Sequence, residues 1–209
     1  MKNVSFSIII VMLVLALSSP PNTGVHAAEI NFPDTEGHWA RTAIQSLAEL
    51  GCVSGMPDGN FHPDEILSLE QFTAIVIRSK YGVLPPSGGN WASGYIKMAV
   101  GKGLLDGADM SDDGRISRGT AAKILDIASG VLFEEDSVND TSIADENITD
   151  FPSCHTCRTH VANVYTMGIM TGKPGRIFDS EGALTRAEGC VAVMRLIDKD
   201  LRVNHDKLK

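Results

Sequence analysis

Apolar residues recur three and four positions apart towards the end of the first quarter of the chain. Ala40, Ile44, Leu47 and Ala48 form one stripe of helical period, predicting a helix over 39–50. Gly51 follows where a left-handed C-terminal cap is needed, and Pro57, Asp58 and Gly59 supply turn chemistry. Ser68 with Gln71 then reads as a capping box ahead of an apolar face made by Phe72, Ile75 and Val76. The same order returns twice. The middle block predicts a helix over 91–100, an Asp-rich loop, and a helix over 118–128 capped by Ser117. The last predicts 157–167, a loop through Lys173, Pro174 and Gly175, and 186–197 capped by Thr185 with Glu188 completing the box.

The recurrence is metric as well as qualitative. Each block carries glycines four apart: Gly51 and Gly55, Gly103 and Gly107, Gly168 and Gly172. From Gly51 to the end of the following helix, blocks one and three align without a gap at an offset of 117, and Trp39 to Gly51 equals Trp91 to Gly103 at twelve residues. The middle block is three residues shorter between Gly107 and Arg118. One helix pair of this size cannot enclose a core. The expected architecture is therefore all-α: three helix–loop–helix repeats in a pseudo-threefold bundle, second helices pooled at the centre and loops projecting. Expected boundaries are 28–82, a Pro/Gly linker at 83–89, 90–133, an acidic linker at 134–149, 150–198, and a basic tail at 199–209. One residue fits local helix physics badly. Arg186, in a first turn, faces the positive end of the helix dipole at a cost of about a few tenths of a kcal/mol.

Charge and the amino terminus narrow the class. Lys2, an apolar run over 8–17, Pro20 and Pro21, then Val25 and Ala27 before Ala28, describe a signal peptide over 1–27. The run is too short to span a bilayer, which takes about 20 residues. Removing Lys2 moves the net charge from −8 to −9, which disfavours nucleic acid as a partner. Seven acids and no base lie between Glu134 and Asp150, which reads as a solvated, partly disordered linker. The tail likewise reads as solvated.

Phe32, Pro33 and Asp34, then His38, Trp39 and Ala40, then Gly51, Cys52, Val53 and Gly55, then Asp58, Gly59, Asn60, Phe61, His62 and Pro63, resemble the S-layer homology repeat. Leu184, Thr185, Arg186, Ala187 and Glu188 resemble its most diagnostic closing stretch. The resemblance runs from Phe32 to Asp198 and implies three tandem repeats. It implies a secreted module of a bacterial cell wall or surface layer. Such a module binds secondary cell-wall polysaccharide attached to peptidoglycan, typically pyruvylated, non-covalently in grooves between repeats, without a cofactor. Carried onto this sequence, it points to Arg186 and Arg118 as partners of a ketal carboxylate, with Thr185, Ser117, Trp39, Trp91 and Asp34 beside them. A freed amide at a helix start favours the same anion. Leu69 stands where the pattern has Arg, so block one reads as a scaffold more than a site. The competing reading is a structural subunit that assembles with S-layer proteins and binds glycan weakly or not at all.

Other constellations carry blander readings. Trp39 and Trp91 suit a core position ahead of a sugar contact. Asp109, Ser111 and Asp113 have the spacing of a calcium loop, but position twelve is Thr120, which removes the bidentate ligand. Cys154 and Cys157 have redox or zinc spacing; with His160 they give three zinc ligands and no fourth, and no βαβ context supports a thioredoxin-like role. A local disulfide tightening the start of block three is the leading reading. Cys52 and Cys190 read as small core residues. No nucleophile–base–acid arrangement, phosphate loop or carboxylate pair stands out, so no enzyme is expected.

Overall fold

The computed structural model describes residues 30–109 and 114–205. The predicted signal peptide, with Ser111 and Asp113 of the calcium-loop reading, lies outside those residues. Seven α-helices are present among them: α1 (Arg41–Glu49), α2 (Leu69–Tyr81), α3 (Ser93–Gly101), α4 (Arg118–Val131), α5 (Ser142–Asn147), α6 (His155–Thr166) and α7 (Arg186–Ile197). The described chain is all-α, its only β pairing being isolated bridges. No helix among the described residues is long and apolar enough to cross a membrane.

The second helices start as their sequences dictate. Ser68 Oγ accepts the Gln71 amide at 3.1 Å, Ser117 Oγ the Thr120 amide at 3.0 Å, and Thr185 Oγ1 the Glu188 amide at 3.2 Å. Gln71 and Glu188 close full capping boxes, whereas Thr120 leaves α4 with the first half only. The two-glycine anchor also has a local cause. Gly51, Gly103 and Gly168 end the first helices at φ near 70° (70°, 76° and 71°). At Gly55 and Gly172 a Cβ would meet the returning loop, Asn60 O at 2.9 Å and Ile177 O at 3.0 Å.

The blocks are joined by exchanging these helix starts. The Leu67 amide donates to Leu184 O (2.9 Å), Leu184 to Ile116 O (3.2 Å) and Ile116 to Leu67 O (3.1 Å), closing a ring across all three blocks. Two residues on, a second ring runs the other way: Leu69 to Gly114 O (3.0 Å), Arg118 to Gly182 O (2.8 Å) and Arg186 to Glu65 O (2.9 Å). The side chains of Leu67, Ile116 and Leu184 are fully buried at this junction. Below it α2, α4 and α7 all touch one another, and each first helix packs on the second helix of a neighbouring block: α3 on α2, α6 on α4, α1 on α7. The expected pooling of second helices is thus met by a further exchange that sequence did not announce.

Two expectations are corrected. The acidic segment is not an open linker: it contains α5, its Arg158–Asp145 pair ties α5 to α6 at 2.8 Å, and Glu135 is buried between Arg202 (2.5 Å) and Lys199 (3.3 Å). The tail is docked through residue 205. Val203 N donates to Gly168 O at 3.1 Å, and His205 stacks on Tyr165 with centroids 4.1 Å apart. Their own charges, of opposite sign, hold the two segments together. Burial opposes ionisation of Glu135, but hydrogen bonds and charges from Arg202 and Lys199 outweigh it and hold the carboxyl below its ordinary value of 4.5. A depressed carboxylate adds stability in full above that ordinary value and loses it as pH falls through the folded one. Acidification below about pH 4.5 is therefore predicted to release the tail, read as lost protection of the Val203 amide relative to its intrinsic exchange rate at the same pH, and Glu135→Gln to show that loss already at neutral pH.

Candidate functional site

The misfit of Arg186 is resolved by its destination. Its side chain leaves α7 and enters the loop of block one, where Nε donates to Phe61 O at 2.9 Å and Nη2 to Ser54 O at 3.3 Å, with the guanidinium carbon 4.3 Å from the Phe61 ring centroid. Arg118 does the same in block three: Nε to Phe178 O at 2.8 Å, Nη2 to Thr171 O at 2.7 Å, and 5.0 Å to the Phe178 ring. Only 6% of Arg186 and 4% of Arg118 is exposed. Burial lowers both guanidinium pKa values, opposed by nearby acids such as Glu188 at Arg118 and Glu65 at Arg186. Bonds from a charged donor to loop carbonyls outweigh the small dipole cost.

Each of these arginines borders a groove, and the two grooves are built from equivalent positions. Groove one, about 220 Å³, is lined by Ser54, Gln71, Ile75 and Arg78 of block one, Trp91 of the middle block and Arg186 of block three. Groove two, about 130 Å³, is lined by Thr171, Glu188, Ala192 and Arg195 of block three, Trp39 of block one and Arg118 of the middle block. Every pair within block one and block three differs by 117 in number. Each groove therefore draws on all three blocks. The tryptophans are corrected from core to surface: Trp39 is 65% and Trp91 57% exposed.

Arg78 and Arg195 escaped the reading of the sequence, although each stands ten residues after its cap and the two are related by the same offset. Arg78 is held by Tyr95, whose hydroxyl accepts from Nε at 2.9 Å, and by Cys52 O at 3.4 Å. The Arg195 guanidinium is half-buried, has its pKa lowered by burial alone, and makes no hydrogen bond or ion pair among the described residues. A desolvated cation facing a cavity favours an anion there. The grooves differ at one charge. Glu188 lies 3.4 Å from Arg118 Nη1 in groove two, while neutral Gln71 takes its place in groove one.

Asp34 lines none of the three grooves; its carboxylate accepts the Phe61 amide at 2.9 Å and the His62 amide at 2.6 Å, and Asp150 clamps Phe178 and Asp179 in the same way at 2.6 and 2.8 Å. Thr185 is a cap, and Ser117 is a cap bordering a third groove. Asp109 is engaged by Lys123 at 2.9 Å. That third groove, about 540 Å³, lies between the middle block and the start of α6, with Lys123 and Thr156 among its residues. Each first-turn arginine borders a neighbour's groove, so block one receives a guanidinium from Arg186, whereas Leu69 at the equivalent position of block one is a buried apolar side chain.

The S-layer homology domain model matches the chain twice, over residues 31–73 and 147–188. The chain is 28% identical over 198 residues to an exoglucanase of Acetivibrio thermocellus, covering 88% of this chain and 18% of that protein. It is 29% identical over 191 residues to the S-layer protein EA1 of Bacillus anthracis, covering 84% of this chain and 20% of the relative. A cellulosome-anchoring protein of Acetivibrio thermocellus is 28% identical over 110 residues, 46% of this chain and 25% of its own length. The chain thus spans a quarter or less of each of these relatives.

The Asp34 clamp yields a direct expectation. Asp34→Ala leaves two loop amides without their acceptor, a loss of about 1–3 kcal/mol. Urea unfolding measures that loss, and exchange at the Phe61 and His62 amides is expected to accelerate.

Proposed function

We infer that this protein is a cell-surface anchoring module of a bacterium. It holds to secondary cell-wall polysaccharide on peptidoglycan, with an anionic ketal of the pyruvate type seated in grooves one and two. The middle block is a third, divergent S-layer homology repeat, and the module itself is not catalytic. One observation carries this reading: two grooves built from equivalent positions each join two guanidinium groups to an exposed indole. A planar guanidinium pairs bidentately with a carboxylate, and an indole face suits the apolar side of a sugar ring. Relatives named as S-layer and cellulosome-anchoring proteins support the same assignment.

Groove one is the stronger site. Arg186 and Arg78 face it without an acid, whereas in groove two Glu188 already pairs with Arg118 and must be displaced by an incoming anion. The double substitution Arg118→Ala and Arg186→Ala is expected to abolish retention on purified wall polymer in a pull-down, helicity being checked in parallel. Both arginines also brace loops, so Glu188→Gln supplies an arm with those braces intact: Gln71 shows that Gln closes the same capping box. Glu188→Gln is expected to strengthen retention by groove two. Unchanged pull-down by a folded double variant, with no effect of removing pyruvate from the polymer, would overturn the reading.

A further inference from the structure

The middle-block groove keeps the fold position of the other two and has lost their chemistry. No guanidinium reaches it because Leu69 replaces Arg, and Thr156 stands where Trp39 and Trp91 stand elsewhere. Flanking Thr156 on the groove wall is a disulfide between Cys154 and Cys157. We propose that this bridge is a thiol–disulfide exchange site, at which a cysteine thiol on a partner polypeptide becomes covalently attached to the protein as a mixed disulfide.

Architecture does not account for the bridge. Cys154 is the N-cap of α6 and Cys157 lies in its first turn, with Cα atoms 5.2 Å apart. The helix already holds these two residues together, and the bridge joins no two blocks. A cross-link stabilises chiefly by restricting the unfolded chain, and that effect shrinks with the span enclosed; a separation of three residues encloses almost nothing.

Position and surroundings favour exchange instead. Both bridged cysteines are exposed, and exposed disulfides are the labile ones. Cys52 and Cys190 provide the contrast within the same chain: both are buried free thiols, and burial pushes Cys190 up to about 12. Cys154 Sγ accepts the Cys157 amide at 3.2 Å at the amino end of a twelve-residue helix. That donor and the helix dipole stabilise a thiolate on Cys154, making it the better leaving group. Lys123 and His160 line the same cavity, paired with Asp106, Asp109 and Asp126.

The step balances without an added oxidant. The partner thiol ionises, losing its proton to solvent, and its sulfur bonds to Cys157 Sγ. The Cys154–Cys157 bond breaks, and its electron pair leaves on Cys154 as thiolate. Return attack by Cys154 on Cys157 Sγ expels the partner thiolate and restores the bridge. If the partner carries a second thiol, that thiol attacks instead, the partner departs as a disulfide, and both cysteines remain reduced.

The test uses the native protein and an unstructured peptide carrying one cysteine, in excess, followed by non-reducing mass spectrometry. The expected result is a mass increase of one peptide per chain, mapped to Cys157, with helicity unchanged. A double variant, Cys154→Ser with Cys157→Ser, is expected to fold with the wild-type helicity, to retain the wall polymer as wild type does, and to form no adduct. Adduct that forms only in denaturant, or that maps to Cys52 or Cys190, would overturn the proposal. So would loss of the fold in the double variant, because the bridge would then be architectural.

Discussion

The amino end of an α-helix leaves backbone amides that its own turns cannot satisfy, and this structure is governed by where three such sets of amides go. The caps Ser68, Ser117 and Thr185 satisfy one amide each. The amides just before and just after each cap are handed to the neighbouring blocks, in two rings of opposite sense around buried Leu67, Ile116 and Leu184. An unpaired buried amide is costly, so no block can withdraw without stranding donors or acceptors in the other two. The same exchange positions the first-turn arginines. Arg118 and Arg186 reach out of their own helices into a neighbour's loop, where carbonyl acceptors and a Phe ring replace the water they have lost.

Composite grooves follow from that exchange. Ser54 to Arg78, Trp91 and Arg186 come from three different blocks, as do Thr171 to Arg195, Trp39 and Arg118. Divergence in one block therefore appears in another block's groove. Leu69 in block one removes the guanidinium from the middle-block groove, and Thr156 in block three removes its indole, which leaves the Cys154–Cys157 bridge on the wall. A chain of three imperfect copies can hold two grooves of one chemistry and a third of another, with the core shared by all.

The sequence displayed its local features plainly. The caps, the helix-ending glycines and the offset of 117 are set by neighbours within a few residues, and α2, α4 and α7 begin where those signals stand. Arg186 was legible as a misfit, but not its destination, because Phe61 and Ser54 lie 125 and 132 residues away. The tryptophans read as core because an aromatic at a helix start normally packs on its own block; here the neighbouring helix leaves the indole at a groove margin. Arg78 and Arg195 were available to the offset alone. The docking of Glu135 with Arg202, and of His205 on Tyr165, carried no periodicity and could be seen only in three dimensions.

In the proposed function an anionic sugar is held jointly by residues of all three blocks. Titration of isotopically labelled protein with a pyruvylated disaccharide, followed by NMR at the tryptophan indole and arginine Nε–H signals, tests it directly. Trp91 and Arg186 are expected to shift together with one midpoint, and Trp39 and Arg118 together with a weaker one. Shifts that group Trp39 with Arg186, or that leave both arginines unmoved while the sugar binds, would contradict it.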